Sequence, residues 1–162
     1  MKHSTNACGS FLILTVVLLF TSCKKINTTD EATVKSTLLL LQNKNWKLTA
    51  LTVTPGSSGT GTEDVYNTSM EACEKDNIYR FNSGNVFILD EGLTKCDPAD
   101  PQTENGTWDY NDATSTLHFQ NSTSSDDYTL KIKSISETQL MANETENNGG
   151  VNYVYAWTFA KQ

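Results

Sequence analysis

The stretch Val151-Asn-Tyr-Val-Tyr-Ala-Trp-Thr-Phe-Ala160 decides the fold. In an extended chain successive side chains point to opposite faces. Tyr153, Tyr155, Trp157 and Phe159 therefore share one face, and Asn152, Val154, Ala156, Thr158 and Ala160 share the other. Large aromatics on one side and small or polar residues on the other describe a strand with one buried face. Leu130 and Ile132 alternate with Lys131 and Lys133 in the same way. Outward from there, the same period predicts strands at 46–54, 78–81, 86–90, 106–110, 115–120, 128–135, 139–143 and 151–160. Turn residues separate them: Pro55-Gly56, Asn82-Ser83-Gly84-Asn85, Asn111-Asp112, and an Asn- and Gly-rich loop over 145–150. Longer connections are expected at 56–66 and 92–105. The four-Leu run 38–41 lies in a predicted short helix, about 31–42. Eight antiparallel strands on short turns favour closure, because an open sheet with these apolar faces would invite edge pairing. The predicted fold is all-β, an eight-stranded antiparallel up-and-down barrel with a short N-terminal helix.

The N-terminus has its own logic. Met1, Lys2 and His3 are followed by a mostly apolar run from Phe11 to Phe20 and then Thr21-Ser22-Cys23. A charged start, a short apolar core and small residues before a cut describe a secretory signal. The run is short of the roughly 20 apolar residues of a membrane span. Small residues before Cys23 resemble a bacterial lipobox, with Phe20 where that pattern prefers an aliphatic residue. The resemblance implies a palmitate-type acyl anchor on Cys23 as the mature N-terminus; the alternative is an ordinary cleaved signal. The expected organisation is a signal over 1–22, a flexible polar tether over 23–33 and one barrel domain over 34–162.

Without residues 1–22, eleven basic residues face nineteen acids, a net charge of −8. An acidic chain whose sole arginine is Arg80 is a poor partner for a phosphate backbone. Cys8 leaves with the signal and Cys23 is the expected lipid site, so Cys73 and Cys96 remain. An exported protein meets an oxidising compartment, and two thiols allow one bridge. It would close a loop of a little over 20 residues, worth about 3 kcal/mol in the chain-entropy model. Free thiols and a metal site are the alternatives. A metal would need further ligands, and the mature chain has one histidine, His118.

No catalytic group is nominated. His118, between Leu117 and Phe119, is predicted to point outward and has no motif-defined nucleophile to activate. Asp90, Glu91, Asp97, Asp100 and Glu104 lack EF-hand spacing and read as a solvated loop stiffened by Pro98 and Pro101. A weak cation site or a carboxylate pair for glycoside cleavage is the sharper reading of these acids. Asp76-Asn77 reads as a turn or cap. Trp46, Phe81, Trp108, Tyr153, Tyr155, Trp157 and Phe159 are the candidate lining of a core or a ligand pocket, since a barrel of eight strands holds its own side chains or one small ligand.

The order of motifs resembles the lipocalin-like domains of small lipoproteins from Bacteroidota. It is carried by Lys44-Asn45-Trp46-Lys47-Leu48, Cys73-Glu74-Lys75-Asp76-Asn77, Tyr79-Arg80-Phe81 with Gly84, Asp90-Glu91-Gly92, Lys95-Cys96 and Gly106-Thr107-Trp108. Lys44 stands where a lipocalin proper carries Gly. The resemblance implies a non-enzymatic barrel without cofactor, anchored at the outer membrane and monomeric, which binds a small apolar or amphipathic ligand. The second expectation is a filled barrel that meets a protein or glycan through loops 56–66 and 92–105.

Overall fold

A computed structural model describes residues 37–162. The predicted signal and tether, Cys23 and half of the predicted helix lie outside the described residues; 37–41 are helical. Nine strands follow: β1 (Asn45–Thr54), β2 (Glu63–Asp64), β3 (Ile78–Asn82), β4 (Val86–Asp90), β5 (Thr103–Asn111), β6 (Thr116–Asn121), β7 (Asp127–Ile135), β8 (Gln139–Asn148) and β9 (Val151–Lys161). Between β2 and β3 lie helix α1 (Val65–Thr68) and a 3-10 turn (Glu74–Asp76). All strand pairs are antiparallel. Strands β3 to β9 pair in chain order, and β9 returns to β1 to close an eight-stranded barrel.

Strand β1 carries the closure. One edge pairs with β9 from Trp46 to Thr54. The other is divided, with Asn45–Lys47 on β3 and Thr52 and Val53 on β2. The register against β9 shifts between Leu48 and Ala50. That bulge changes which parity faces inward: Trp46 and Leu48 are buried before it, Leu51 and Val53 after it.

Two predicted loops are strand instead. Residues 145–148 continue β8, and only Gly149 and Gly150, both at positive φ, make the turn. Residues 103–105 begin β5 ahead of the predicted start at 106. Pairing supplies backbone partners that these polar residues lack in isolation. The connection 56–66 contains β2 and the start of α1. Gly106 fits the Gly-x-Trp motif sterically, because a Cβ there would collide with the Gln120 carbonyl.

The barrel ends differ. The lower end holds the start of β1, the β3–β4, β5–β6 and β7–β8 turns, and residues 37–42. Leu41 is fully buried there and its carbonyl accepts the Trp46 indole N–H at 3.1 Å. The Trp108 indole donates to the Asn82 carbonyl at 2.8 Å. Phe81 packs on Phe87, Trp108 and Phe119, with ring centroids about 5.5 Å apart. The upper end is covered by α1, the 3-10 turn and residues 91–102. Cys73 and Cys96 are joined by a disulfide. Asp76 accepts the amides of Leu93 and Thr94, each at 2.9 Å. Gly92, at φ +70°, lies so close to the Asp76 carbonyl that a Cβ would collide with it.

On the outer wall His118 bridges strands: Nδ1 is 3.2 Å from Asp109 and Nε2 is 2.7 Å from Asp127. Partial burial lowers the pKa, but hydrogen bonds to Asp127 and then Asp109 outweigh it and the net shift is upward. A histidine raised on folding adds stability below its unfolded pKa and loses it as pH rises through the folded value. Stability is therefore expected to decline as pH climbs past about 6.5, and Asp127→Asn should flatten that decline. An imidazole NMR titration that puts His118 below the ordinary histidine value would contradict this.

Phe159, 1% exposed, packs on Tyr79 and Trp157 at centroid distances of 5.3 and 6.0 Å. Phe159→Ala is expected to cost about 3–5 kcal/mol. Thr158→Ala, on the opposite face of β9, should cost less than about 0.5 kcal/mol. Urea unfolding measures both, and equal losses would mean that the faces of β9 are exchanged.

Candidate functional site

Alternation places two inward residues in sequence on each of several strands, one low and one high. The lower members Phe81, Phe87, Leu130 and Phe159 are buried in the core. The upper members Tyr79, Leu89, Tyr128 and Trp157 instead wall a cavity of about 250 Å³ that opens to solvent. Leu51, turned inward by the β1 bulge, and Met70, after α1, complete its apolar surface. Glu74, Asn77 and Asp126 supply its polar groups. A recess of about 40 Å³ shares Tyr79, Leu89, Asp126 and Tyr128 with it and reaches Phe87, Phe119 and Asn121. The 3-10 turn positions Glu74 and Asn77, and the disulfide at Cys73 and the Asp76 bonds to 93–94 hold that turn.

Buried polar groups are nearly always paired. Two on this wall are not: Asn77 Oδ1 and Trp157 Nε1, on residues only 9% and 7% exposed. The other two tryptophans have backbone carbonyl partners. The Glu144 carboxylate approaches the Trp157 indole without completing a hydrogen bond. Burial, then the Glu146 charge, raises the pKa of Glu144.

The field at this end is negative. Burial pushes the Tyr128 phenol up to about 12, reinforced by Asp126, Glu144, Glu74 and Glu146. Tyr79 is raised further, by burial first, then by Tyr128, Glu74 and Asp126. Both phenols stay protonated at neutral pH. Lys75, beside Glu74, is turned over the Tyr66 ring at 5.3 Å.

The aromatics predicted to line a core or pocket divide between the two roles. Trp46, Phe81, Trp108 and Phe159 are core. Trp157 walls the cavity. Tyr155 packs on the core's edge, and Tyr153 is half-buried higher on β9. Asp76 and Asn77 are the last residue and the C-cap of the 3-10 turn, in line with the sequence reading of a turn or cap, and Asn77 is in addition a cavity residue. Tyr79, Tyr128, Leu51, Leu89 and Met70 were not singled out in the sequence. Tyr79 and Phe81 alternate, as do Tyr128 and Leu130, so two of these five positions could be assigned to an inward face, but not to the cavity level. Glu71 lies beside the Cys73–Cys96 pair, whose bonded sulfurs offer no thiolate to a metal. Of the acidic stretch, Asp90 pairs with Arg80 at 2.7 Å, and Glu104 holds Asn121 and Thr123.

A family model described as a lipocalin-like domain matches residues 43–141, from just before β1 into β8. A search of curated proteins found no match. The matched segment is well over half of the 162 residues and contains the 3-10 turn, both disulfide cysteines and the Gly-x-Trp of β5. The chain belongs to the family of lipocalin-like domains.

Proposed function

We propose that this chain is a non-enzymatic binding protein that takes one small apolar or amphipathic molecule into the upper end of its barrel, displayed from a lipid anchor on Cys23 at the outer membrane. The observation that carries the reading is the 250 Å³ cavity with two buried polar atoms on its wall that lack partners. Ligand sites are concave, mostly apolar and carry a few polar groups that orient the ligand. An apolar cavity of about 150 Å³ takes up benzene, so this one suits a molecule of roughly ten non-hydrogen atoms. A filled barrel working only through its loops would leave no such space.

The binding reading is tested with octanol, a neutral probe of that size. Octanol should quench or shift the Trp157 emission saturably, measured against a Trp157→Phe control. Leu89→Trp, which fills the cavity, should weaken binding at least about tenfold while the fold is kept. Absence of saturable binding to the parent would leave the loops as the working surface.

The anchor is tested separately. A polar tether after Cys23 and the entry of the chain at the barrel's lower end would leave the upper mouth facing away from the membrane. Cys23→Ala is expected to move the protein from the detergent phase to the aqueous phase, or to block its processing. Unchanged partitioning would refute lipidation at this residue.

A further inference from the structure

We infer that the molecule taken up is an organic cation, an amine carried on an apolar body, and that Glu74, Asp126 and Asn77 recognise its ammonium head. The inference rests on the binding reading and specifies its chemistry. Three independent observations converge on it. Glu74 and Asp126 are the charged groups of the cavity wall, and no Lys or Arg lies on that wall among the described residues. Asn77, nine-tenths buried with an acceptor Oδ1 that has no donor, is a residue of the same wall. Tyr79, Tyr128 and Trp157 present aromatic rings there, and cations are attracted to ring faces, most strongly to Trp.

The surrounding charges point the same way. Glu144 and Glu146 raise the Tyr128 phenol together with Asp126 and Glu74, so all four carboxylates act on one space. The cations at this end are committed elsewhere. Lys75 lies over Tyr66, Lys95 donates to the Asp100 carbonyl, and Arg80 holds Asp90 and Asn45 on the outer face. An anionic ligand would meet the Glu74 and Asp126 carboxylates with no counter-charge on the wall. A bare divalent ion prefers several oxygen ligands and little apolar surface. Here Leu51, Met70 and Leu89 form much of the wall. An ammonium on an alkyl or aryl body satisfies both parts: donors for Asn77 Oδ1 and the carboxylates, and apolar atoms for the rest.

The test compares three probes that share a chain and differ in the head: octylammonium, octanol and octanoate, with affinities from calorimetry on the folded protein. Octylammonium is expected to bind roughly tenfold tighter than octanol, the size of one cation–π contact or partly screened ion pair, and octanoate weakest. In the double variant Glu74→Gln, Asp126→Asn the ratio of octylammonium to octanol affinity should fall to about one, and an unchanged circular-dichroism spectrum and urea midpoint are the control for folding. Asn77→Leu should reduce the same ratio. Equal affinities for the three probes, tighter octanoate, or calcium binding in place of octylammonium would overturn the cation assignment and leave the cavity reading standing. Failure of all three to bind would overturn both.

Discussion

The structure depends on the pairing of β1 with β9. The pairs from β3 to β9 join neighbours in sequence and β1–β3 spans only β2, α1 and the 3-10 turn, so each could form without closure. Only β1–β9 brings the two ends of the domain together, over nine residues from Trp46 to Thr54. It is the most non-local contact and so the one with the highest loop-closure cost. Without it, both strands would expose an edge and an apolar face. The aromatic face of β9 offsets that cost, because Trp157 and Phe159 bury their rings when Leu51 and Leu48 of β1 stand opposite them. The bulge between Leu48 and Ala50 is part of the same solution. It lets one strand present Trp46 and Leu48 to the lower core and Leu51 and Val53 to the upper interior, although their parities differ.

Closure leaves two mouths, and the chain treats them differently. Below, the segment just ahead of β1 folds across the opening, and the Leu41 side chain with its carbonyl to Trp46 seals it. Above, the covering pieces are secured to one another. The disulfide, the Asp76 bonds to residues 93–94 and the close approach of Gly92 tie the 3-10 turn to the β4–β5 connection, at the rim. A rim held from outside does not collapse inward, and from the cover Met70, Glu74 and Asn77 reach the cavity wall. The hollow is therefore placed by covalent and hydrogen-bonded constraints on the loops.

Much of this was legible in the sequence. The period of two in 151–160 fixes which residues of β9 face inward, and the strand count with short turns implies a barrel. The two cysteines left after the signal imply their bridge. What was not legible follows from what pattern reading lacks. Alternation assigns a face but not a height along the strand, so Phe159 in the core and Trp157 at the cavity look alike. Thr145 to Asn148 read as loop because Asn and Glu have weak strand propensity, yet β9 is long enough to pair with them. The parity change in β1 was visible as apolar residues at 46, 48, 51 and 53, but only the partner strand identifies it as a bulge. Asn77 carries no local sign of burial, because its surroundings come from β1, β4, β9 and the 121–127 turn.

The cavity is also where local choices oppose stability. Leaving a buried acceptor or donor unpaired costs about 1–3 kcal/mol. Asn77 and Trp157 each leave one, within reach of carboxylates that repel each other and raise Glu144 and Tyr128. An apolar residue at 77 would remove the orphaned acceptor, and fewer acids around the mouth would relax the field. Beside Asn77, Asp76 Oδ1 is the third such buried atom, whereas further down the barrel Trp46 and Trp108 find carbonyls and His118 finds two aspartates. Violations of polar satisfaction that gather at one solvent-open place, in a fold otherwise consistent with its sequence, mark that place as kept for something other than folding. A bound donor group would pair the Asn77 acceptor and relax the field at once, and its binding energy would then include that part of the stability which the empty site forgoes.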